Sequence, residues 1–293
     1  MAGFRTIVIN QRCKLESRLG YLVIRTISET RIHISEIESL IIETTSVSLT
    51  SALIADLEAE GINVVFCDRA HLPVGFIQPL NYHYNSSRRV KTQIAWTEER
   101  KNKCWQLIVK EKLKQQAFVL KLINQNEAAK QIFLYRENVL LGDSDNQEAR
   151  AAKCYFSAMF GDSFSRSTSN NIENSALDYG YSILLACFSR EISACGYLTE
   201  LGIWHRSNEN SYNLASDFME PFRPIIDLHA YDMPLDQESN FKHYMLKILN
   251  KKILINEDQQ ELVYAIRQYS RRLFKFLKCE CDDIYEILFF REE

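Results

Sequence analysis

The sequence predicts an α+β protein with a small β-rich, β-sandwich-like N-terminal domain carrying one helix, followed by a larger all-α domain. Two observations lead to this prediction. Up to residue 80, short segments rich in Ile, Val and Thr are separated by polar residues or Gly, which is typical of strands. From residue 96 onward, apolar residues recur at intervals of three and four, which is typical of helices. The predicted layout is a strand-rich domain over 1–80, a linker over 81–95 and a helical domain over 96–293.

Each element of the N-terminal domain has its own local signal. The predicted strands are, in order, FRTIVIN, GYLVIR, TRIHIS and SLIIET. SLTSALIADLEAEG is a predicted helix, because it begins with residues that cap helices and ends at Gly61. INVVFCD is one more predicted strand, and PVGFIQPL, with a proline near each end, closes the domain.

The second part of the chain consists of predicted helices. The segment NYHYNSSRRVKTQ is polar and basic, as expected of a connector. Beyond it the helical pattern covers 96–141, 147–160, 172–198, 212–220, 241–252 and 257–278. A Ser/Asn-rich stretch, GDSFSRSTSN, is a predicted loop between the second and third of these. Gly180, between two tyrosines of the third helix, is interpreted as a point of close helix packing.

The composition is that of an ordinary folded protein, with 293 residues, 46% hydrophobic, 25% charged and a net charge of −3. The N-terminus lacks the pattern of a secretory signal, and no apolar run approaches the roughly 20 residues that span a bilayer. We therefore expect a cytoplasmic protein with no membrane segment. The eight cysteines include no C-x-x-C pair, which favours buried thiols over disulfides or a zinc site.

Positive charge is concentrated in two segments, although the whole chain is slightly acidic. Nine basic and three acidic residues lie between Arg88 and Lys114, and five basic residues and no acidic one lie between Arg267 and Lys278. Such segregated charge can neutralise DNA phosphates, but solvated helix faces produce the same pattern. The candidate DNA contacts are Arg88, Arg89, Lys91, Arg206, Arg223, Arg271 and Arg272.

The segment Gly202–Pro224 holds the densest group of chemically active side chains. If 212–220 is helical, Asp217 and Glu220 share one face, because residues three apart are neighbours on a helix. The loop residue His205, folded back against that face, would complete a nitrogen and oxygen site suited to a divalent cation. Two alternatives stay open: a purely structural histidine, and carboxylates that only pair with Arg206 and Arg223.

Glu148 stands at the start of the predicted helix 147–160. It lies three residues after Asp145, which is the spacing of a capping box. A carboxylate on a first helical turn can instead face a neighbouring helix and bind a metal. The local sequence leaves both interpretations open.

Three blocks of sequence, taken together, resemble a known family. They are EARAAKCYF, NSALDYGYSILLACFSREISACGYLTELGIWHRS and SYNLASDFMEPFRP, in that order. They resemble the CRISPR-associated integrase/endonuclease family, the catalytic one of two core adaptation subunits, and most of all its type II branch. The resemblance covers nearly the whole chain. It implies that Glu148, His205 and Glu220 are the catalytic metal ligands, with Asp217 at a further acidic position beside the metal. Asp178 is a departure, since relatives commonly carry asparagine there.

The family resemblance also implies a function and partners. The expected protein is a DNA endonuclease and integrase dependent on Mg²⁺ or Mn²⁺, whose helical domain is catalytic. It would insert short duplex DNA (prespacers) into a CRISPR array by 3′-hydroxyl attack on repeat phosphodiesters. Implied partners are a second copy paired through the β-rich domain, forming a homodimer, and the small second adaptation subunit, which completes a heterohexamer. The accessory adaptation protein and effector nuclease of type II systems are further expected partners. Two alternatives are a non-catalytic DNA-binding scaffold and a hydrolase of small phosphoesters.

Overall fold

The computed structural model describes residues 5–69, 71, 73–77, 85–167, 171–255 and 257–289. The chain separates into two compact units, 1–82 and 83–293. Strands dominate the described part of the first unit and helices that of the second, so the predicted α+β class is confirmed. No helix within the described residues is both long and apolar enough to cross a membrane.

The described residues of the first unit form two four-stranded sheets and one α-helix, α1 (Ser51–Ala59). One sheet has the order β1-β5-β7-β8 and the other the order β4-β3-β2-β6. The strands are β1 (Arg5–Ile9), β2 (Cys13–Arg18), β3 (Tyr21–Arg25), β4 (Glu29–His33), β5 (Ile37–Ile42), β6 (Val47–Leu49), β7 (Asn63–Cys67) and β8 (Pro73–Phe76). Residues of both sheets and of α1 form one hydrophobic cluster, in which Leu15, Leu40 and Leu53 are fully buried. This shared core accounts for the predicted sandwich-like character.

The second unit is built around helix α3 (Glu98–Leu122). Apolar positions on several sides of α3 are buried, and so are four polar ones, including Lys112. The other helices are α2 (Ser86–Ile94), α4 (Asn126–Glu137), α5 (Gln147–Phe160), α6 (Ile172–Ala194), α7 (Asn213–Met219), α8 (Arg223–Tyr231), α9 (Phe241–Leu246) and α10 (Leu262–Leu277). A 3₁₀ turn, Glu220–Phe222, joins α7 to α8. Helix α3 contacts α4, α5, α8, α10 and this turn, so it runs through the centre of the unit.

The second unit is mostly helical, and the expectation of an all-α domain is wrong. Strands β9 (Lys252–Ile255), β10 (Asp258–Glu261) and β11 (Ile287–Phe289) form an antiparallel sheet in the order β10-β9-β11. In strand β9, Lys252 is exposed and Ile253 is buried, at the start of the two-residue alternation of a strand. The sequence KILI is too short and too apolar for this alternation to be distinguished from a helical pattern. Ile287 of β11 donates its N–H to Glu111 of α3 over 2.9 Å. The last strand is therefore fastened to the central helix.

Two further segments differ from expectation. The predicted helix 96–141 is divided between α3 and α4, because Asn124 adopts a left-handed conformation with φ 63°. The proposed linker 81–95 contains α2, which is helical over Ser86–Ile94. The interpretation of Gly180 is confirmed, since a Cβ there would lie 2.4 Å from Cγ2 of Ile226 on α8.

Candidate active site

Glu148 lies in the first turn of α5, but it does not cap the helix. Asn146, in a left-handed conformation (φ 57°), is the N-cap and accepts from the N–H of Ala149. Asp143 accepts from the N–H groups of Gln147 and Glu148 over 2.8 and 3.1 Å. The capping-box interpretation, with Asp145 as cap, is therefore wrong. Because other side chains satisfy the helix start, the carboxylate of Glu148 is free to turn towards α3.

Lys112 of α3 joins Glu148 to Glu220. Its Nζ lies 2.5 Å from Oε1 of Glu148 and 2.5 Å from Oε2 of Glu220. The Lys112 side chain is 9% exposed and that of Glu220 is 3% exposed, so water hardly screens this contact. Arg223 adds a second cation, with its Nε 3.1 Å from Oε1 of Glu220. Two carboxylates far apart in sequence thus converge on one cationic centre.

The charged state of this cluster follows from mutual stabilisation. Burial alone would lower the pKa of Lys112, but the carboxylates of Glu220 and Glu148 outweigh it and raise that pKa. Burial alone would raise the pKa of Glu220, but Arg223 and Lys112 outweigh it and lower that pKa. The lysine is therefore an ammonium and Glu220 a carboxylate at neutral pH.

His205 is positioned by Asp217. Its Nδ1 lies 2.6 Å from Oδ1 of Asp217, which is fully buried. The same carboxylate accepts from the N–H groups of Ile203, Trp204 and His205 over 2.7, 3.0 and 3.0 Å. The hydrogen bond to Asp217 raises the pKa of His205 against the effect of burial. Because Nδ1 donates to Asp217, Nε2 is the atom left for a metal or a proton.

The loop carrying His205 is held from several sides. Gly202 is required there, because a Cβ would lie 2.3 Å from the carbonyl oxygen of His205 and 2.9 Å from Asp217. The indole of Trp204 stacks on the buried indole of Trp105 at 5.5 Å, and Trp105 also meets the His205 ring edge-on at 5.9 Å. Gln93 of α2 donates to the carbonyls of residues 198 and 201 over 2.8 and 3.0 Å. These contacts fix the imidazole in place.

Two of the three predicted ligands, Glu148 and Glu220, meet at Lys112, and the third, His205, lies within their electrostatic reach. The carboxylates of Glu220 and Glu148 both contribute to the raised pKa of His205, so all three side chains are within electrostatic reach of one another. Within the described residues, no three His, Cys, Asp or Glu side chains are grouped closely enough to hold a metal ion. At the site the ammonium of Lys112 lies between the two carboxylates and contacts both. Carboxylate oxygens and an imidazole nitrogen are donors that suit Mg²⁺ or Mn²⁺ in kind.

A buried polar chain continues behind Glu220. The guanidinium of Arg223 lies over the Tyr181 ring, 4.8 Å from its centroid, and the hydroxyl of Tyr181 donates to Asp227. Asp227 is 1% exposed, and burial raises its pKa to about 6. This chain connects α6 and α8 to the site and holds Arg223 beside Glu220.

The other candidate DNA contacts are spread over the second unit. Arg206 pairs with Glu98 and not with Asp217, so that part of the salt-bridge alternative is wrong, whereas Glu220 does pair with Arg223. Arg88 and Lys91 are exposed on α2. Three residues have partners outside the site: Arg89 with the Tyr197 hydroxyl, Arg271 with Glu191 and Arg272 with Asp283. The unusual Asp178 pairs with Arg166.

Lys112 is a site residue that was not predicted from the sequence, where it counted only as part of a basic segment. A positional signal was present, because Lys112 lies four residues after Ile108 and three after Val109, both fully buried. A lysine within the apolar stripe of a helix needs a buried partner. The partners, 36 and 108 residues away in sequence, could not be identified from that stripe.

The chain is similar over most of its length to known proteins. A family model described as CRISPR associated protein Cas1 matches residues 6–266. The CRISPR-associated endonuclease Cas1 of Neisseria meningitidis serogroup C (strain 8013) is 33% identical over 270 residues, which cover 90% of this chain and 88% of the relative. The family expected from the three sequence blocks is confirmed, whereas the type II assignment stays a prediction.

Two solved structures share the fold. A casposase bound to integration product superposes with a TM-score of 0.72 at 18% identity, covering 96% of this chain and 92% of the casposase. A chain of a partial Cas6-RT-Cas1–Cas2 complex superposes with a TM-score of 0.69 at 15% identity, covering 99% of this chain and 100% of that one. Together with a family model that spans most of the sequence and a relative aligned over nine-tenths of it, these likenesses lead to one conclusion: the chain belongs to the Cas1 family of CRISPR-associated proteins.

Proposed function

We propose that this protein is a divalent-metal-dependent DNA endonuclease and integrase of CRISPR adaptation, which inserts prespacers into the array. One observation carries the proposal: Glu148 and Glu220, 72 residues apart in sequence, both contact the ammonium of Lys112, with His205 within their electrostatic reach. A 33% identical member of the same family is named an endonuclease. Water in place of the attacking hydroxyl would give hydrolysis at the same site. The proposal includes a cytoplasmic location.

The residues of the site divide the work of phosphoryl transfer. Mg²⁺ or Mn²⁺ held by Glu148, Glu220 and Nε2 of His205 would polarise the phosphoryl oxygen and lower the pKa of the attacking hydroxyl. Asp217 holds Nδ1 of the imidazole, which leaves Nε2 as the ligand atom. Arg223, beside Glu220, supplies positive charge for a non-bridging phosphate oxygen.

The overall reaction makes modest energetic demands. A 3′-hydroxyl attacks a phosphodiester of the repeat, one P–O bond forms, one breaks, and another 3′-hydroxyl leaves. Because the number and kind of bonds are conserved, catalysis consists of aligning the attack and stabilising charge on the phosphorus centre. The loop held by Gln93 and the stacked tryptophans provides a rigid support for that alignment.

The proposed assembly follows from the family. We propose a homodimer that acts with the small second adaptation subunit on prespacer and repeat duplexes. The solved complex that shares this fold contains both Cas1 and Cas2, and the casposase was bound to an integration product. The type II accessory protein and effector nuclease are further proposed partners.

A non-catalytic DNA-binding scaffold is the second candidate. The observation in its favour is that Lys112 and Arg223 already neutralise Glu220, as purely structural ion pairs would. A scaffold would bind DNA equally well with Mg²⁺ or EDTA and would have no strand-transfer activity. Catalysis and binding therefore have to be measured separately.

The deciding experiment is integration of a labelled duplex into the cognate repeat with the second subunit present, in Mg²⁺, Mn²⁺ or EDTA. We expect Glu148→Gln and Glu220→Gln to lose at least about 100-fold in strand transfer while DNA binding persists. Glu137→Gln, an exposed glutamate on α4 paired with its neighbour Arg136, is the matched control and should behave as wild type. Wild-type integration by folded Glu220→Gln would exclude the proposed site.

A further inference from the structure

The two basic segments of the sequence meet at one cavity, separate from the metal-ligand cluster. Arg89 comes from α2, and Arg271, Lys275 and Lys278 come from the last two turns of α10 and the residue after it. Together with Tyr197 and Phe274 they line a cavity of about 240 Å³. This cavity, the anion pocket, includes none of the predicted metal ligands.

The charge of the anion pocket is incompletely neutralised. Of its eight lining residues four are cationic and none is acidic. Glu191 lies 3.4 Å from Arg271, but the same carboxylate is 3.5 Å from Arg267 and 3.7 Å from Arg190. Within the part of the chain that the structure describes, neither Arg89 nor Lys275 has an ion pair with a carboxylate. Lys278 pairs with Glu280 over 2.6 Å, so Arg89 and Lys275 are the two cations of the pocket that no carboxylate of the described residues neutralises. Their uncompensated charge beside a small cavity favours the entry of an anion.

The wall of the anion pocket is rigid. The rings of Tyr197 and Phe274 stack at 4.0 Å with 15° between their planes, and both are at least 95% buried. The Trp96 ring packs against both of them at 5.6 and 6.3 Å. Arg89 is held over this wall, because it donates to the Tyr197 hydroxyl over 3.3 Å. Arg89 is therefore already positioned in the absence of a ligand, which lowers the entropy cost of binding.

We propose that the anion pocket binds one backbone phosphate of DNA, away from the scissile linkage; this inference rests on the proposed function in taking DNA as the ligand. The cavity is smaller than the 300–1,000 Å³ typical of small-molecule pockets, so it suits a single phosphate whose polymer continues outside. Arginine and lysine without base-reading geometry position the backbone and do not read sequence.

The anion pocket is also connected to the active site. Gln93 follows Arg89 by one helical turn, and its amide binds residues 198 and 201 of the segment that leads to His205. The helix that would bind the phosphate through Arg89 is therefore the same helix that supports the His205 loop. The pocket would fix the register of the DNA relative to the catalytic group.

The test measures DNA binding by the full-length chain in EDTA, using fluorescence anisotropy of a labelled duplex between 50 and 200 mM NaCl. We expect Arg89→Gln/Lys275→Gln to lower the slope of log Kd against log [NaCl] by about 1, the value for one phosphate. Lys275→Gln alone should also weaken DNA binding and lower the slope. Lys275 is exposed and has no ion pair with a described residue, so its replacement should leave the fold intact. Lys130→Gln, an exposed lysine on α4, is the matched control and should leave the slope unchanged.

Each remaining outcome separates this inference from the proposed function. An unchanged slope in the double variant with wild-type Tm would overturn the pocket, and normal Mg²⁺-dependent integration by that variant would show that the function still stands. If the double variant shows the lowered slope but the wild-type protein neither cleaves nor integrates DNA, the pocket is supported and the proposed function is rejected. If inorganic phosphate raises the Tm of wild type but not of the double variant, while the DNA slope is unchanged, the pocket binds free anions and the assignment to DNA is wrong.

Discussion

Replacing Lys112 by methionine should destabilise the metal-free protein and make it more responsive to Mg²⁺. Methionine retains the volume of the stem but removes the charge between Glu148 and Glu220. Removing one partner of a buried ion pair costs about 3–5 kcal/mol. We expect about 3 kcal/mol, the lower end, because Arg223 still pairs with Glu220 and the Glu148 side chain is 22% exposed.

That free energy translates into a measurable shift. For a unit of this size, 1 kcal/mol moves Tm by about 2–4 °C, so Tm in EDTA should fall by roughly 6–12 °C. Mg²⁺ should then raise the Tm of K112M more than that of wild type, because in wild type the ammonium competes for the same carboxylates. A metal at 100 times its Kd stabilises by about 2.7 kcal/mol, which would recover most of the loss.

The assay is a thermal melt of wild type, K112M and K101M in EDTA and in MgCl₂. Lys101 is also on α3 and pairs with Glu98, but that carboxylate is 59% exposed, so K101M should change Tm by at most about 2 °C. A K112M protein with wild-type Tm in EDTA would refute the electrostatic account of the site. If Mg²⁺ raises the Tm of wild type and of K112M by the same amount, competition between lysine and metal is refuted.

Three further predictions concern neighbours of the site. Asp217→Asn should lower the pKa of His205, because an uncharged amide oxygen stabilises the imidazolium less than the carboxylate does, and should reduce metal affinity or activity by about 10–100-fold; NMR titration of the imidazole and metal titration check both. Asp227→Asn should flatten the dependence of stability on pH. The buried carboxyl has a folded pKa of about 6 against 3.8 unfolded, so wild type loses up to about 3 kcal/mol as pH rises from 4 to above 6, and Tm measured from pH 4 to 8 should show this loss in wild type only. Gly202→Ala should cost about 1–3 kcal/mol, because its Cβ would overlap the His205 carbonyl; an unchanged Tm and activity would contradict the geometry.

The predictability of the fold depended on how local each signal was. Strands β3, β5 and β7 follow from runs of branched apolar residues. Strand β2 was missed because only Cys13 and Leu15 of its six residues are buried and the others are polar or charged. The C-terminal sheet was missed because β10 consists only of polar and charged residues, and the other partner of β9, strand β11, lies about 30 residues away in sequence.

The same distinction applies to the site. Asp217 and Glu220 could be grouped from their spacing, and the sequence offered His205 as a third member. The role of Glu148 depended on Asn146 and Asp143, since only their capping of α5 releases its carboxylate. Helix-capping rules could not identify the N-cap, because several side chains before α5 can accept a hydrogen bond. The left-handed conformation of Asn146, which makes it the N-cap, is visible only in the structure.

The hydrogen bonds of Gln93 to the segment before His205 determine where the chain can be truncated. A recombinant fragment that begins at residue 96, the start of the predicted helical domain, would lack α2 and the three hydrogen bonds of that amide to residues 198 and 201. In such a fragment the loop that carries His205 would lose these hydrogen bonds, while the remaining helices would keep their own packing. Truncation boundaries for the catalytic half should therefore fall before Ser86.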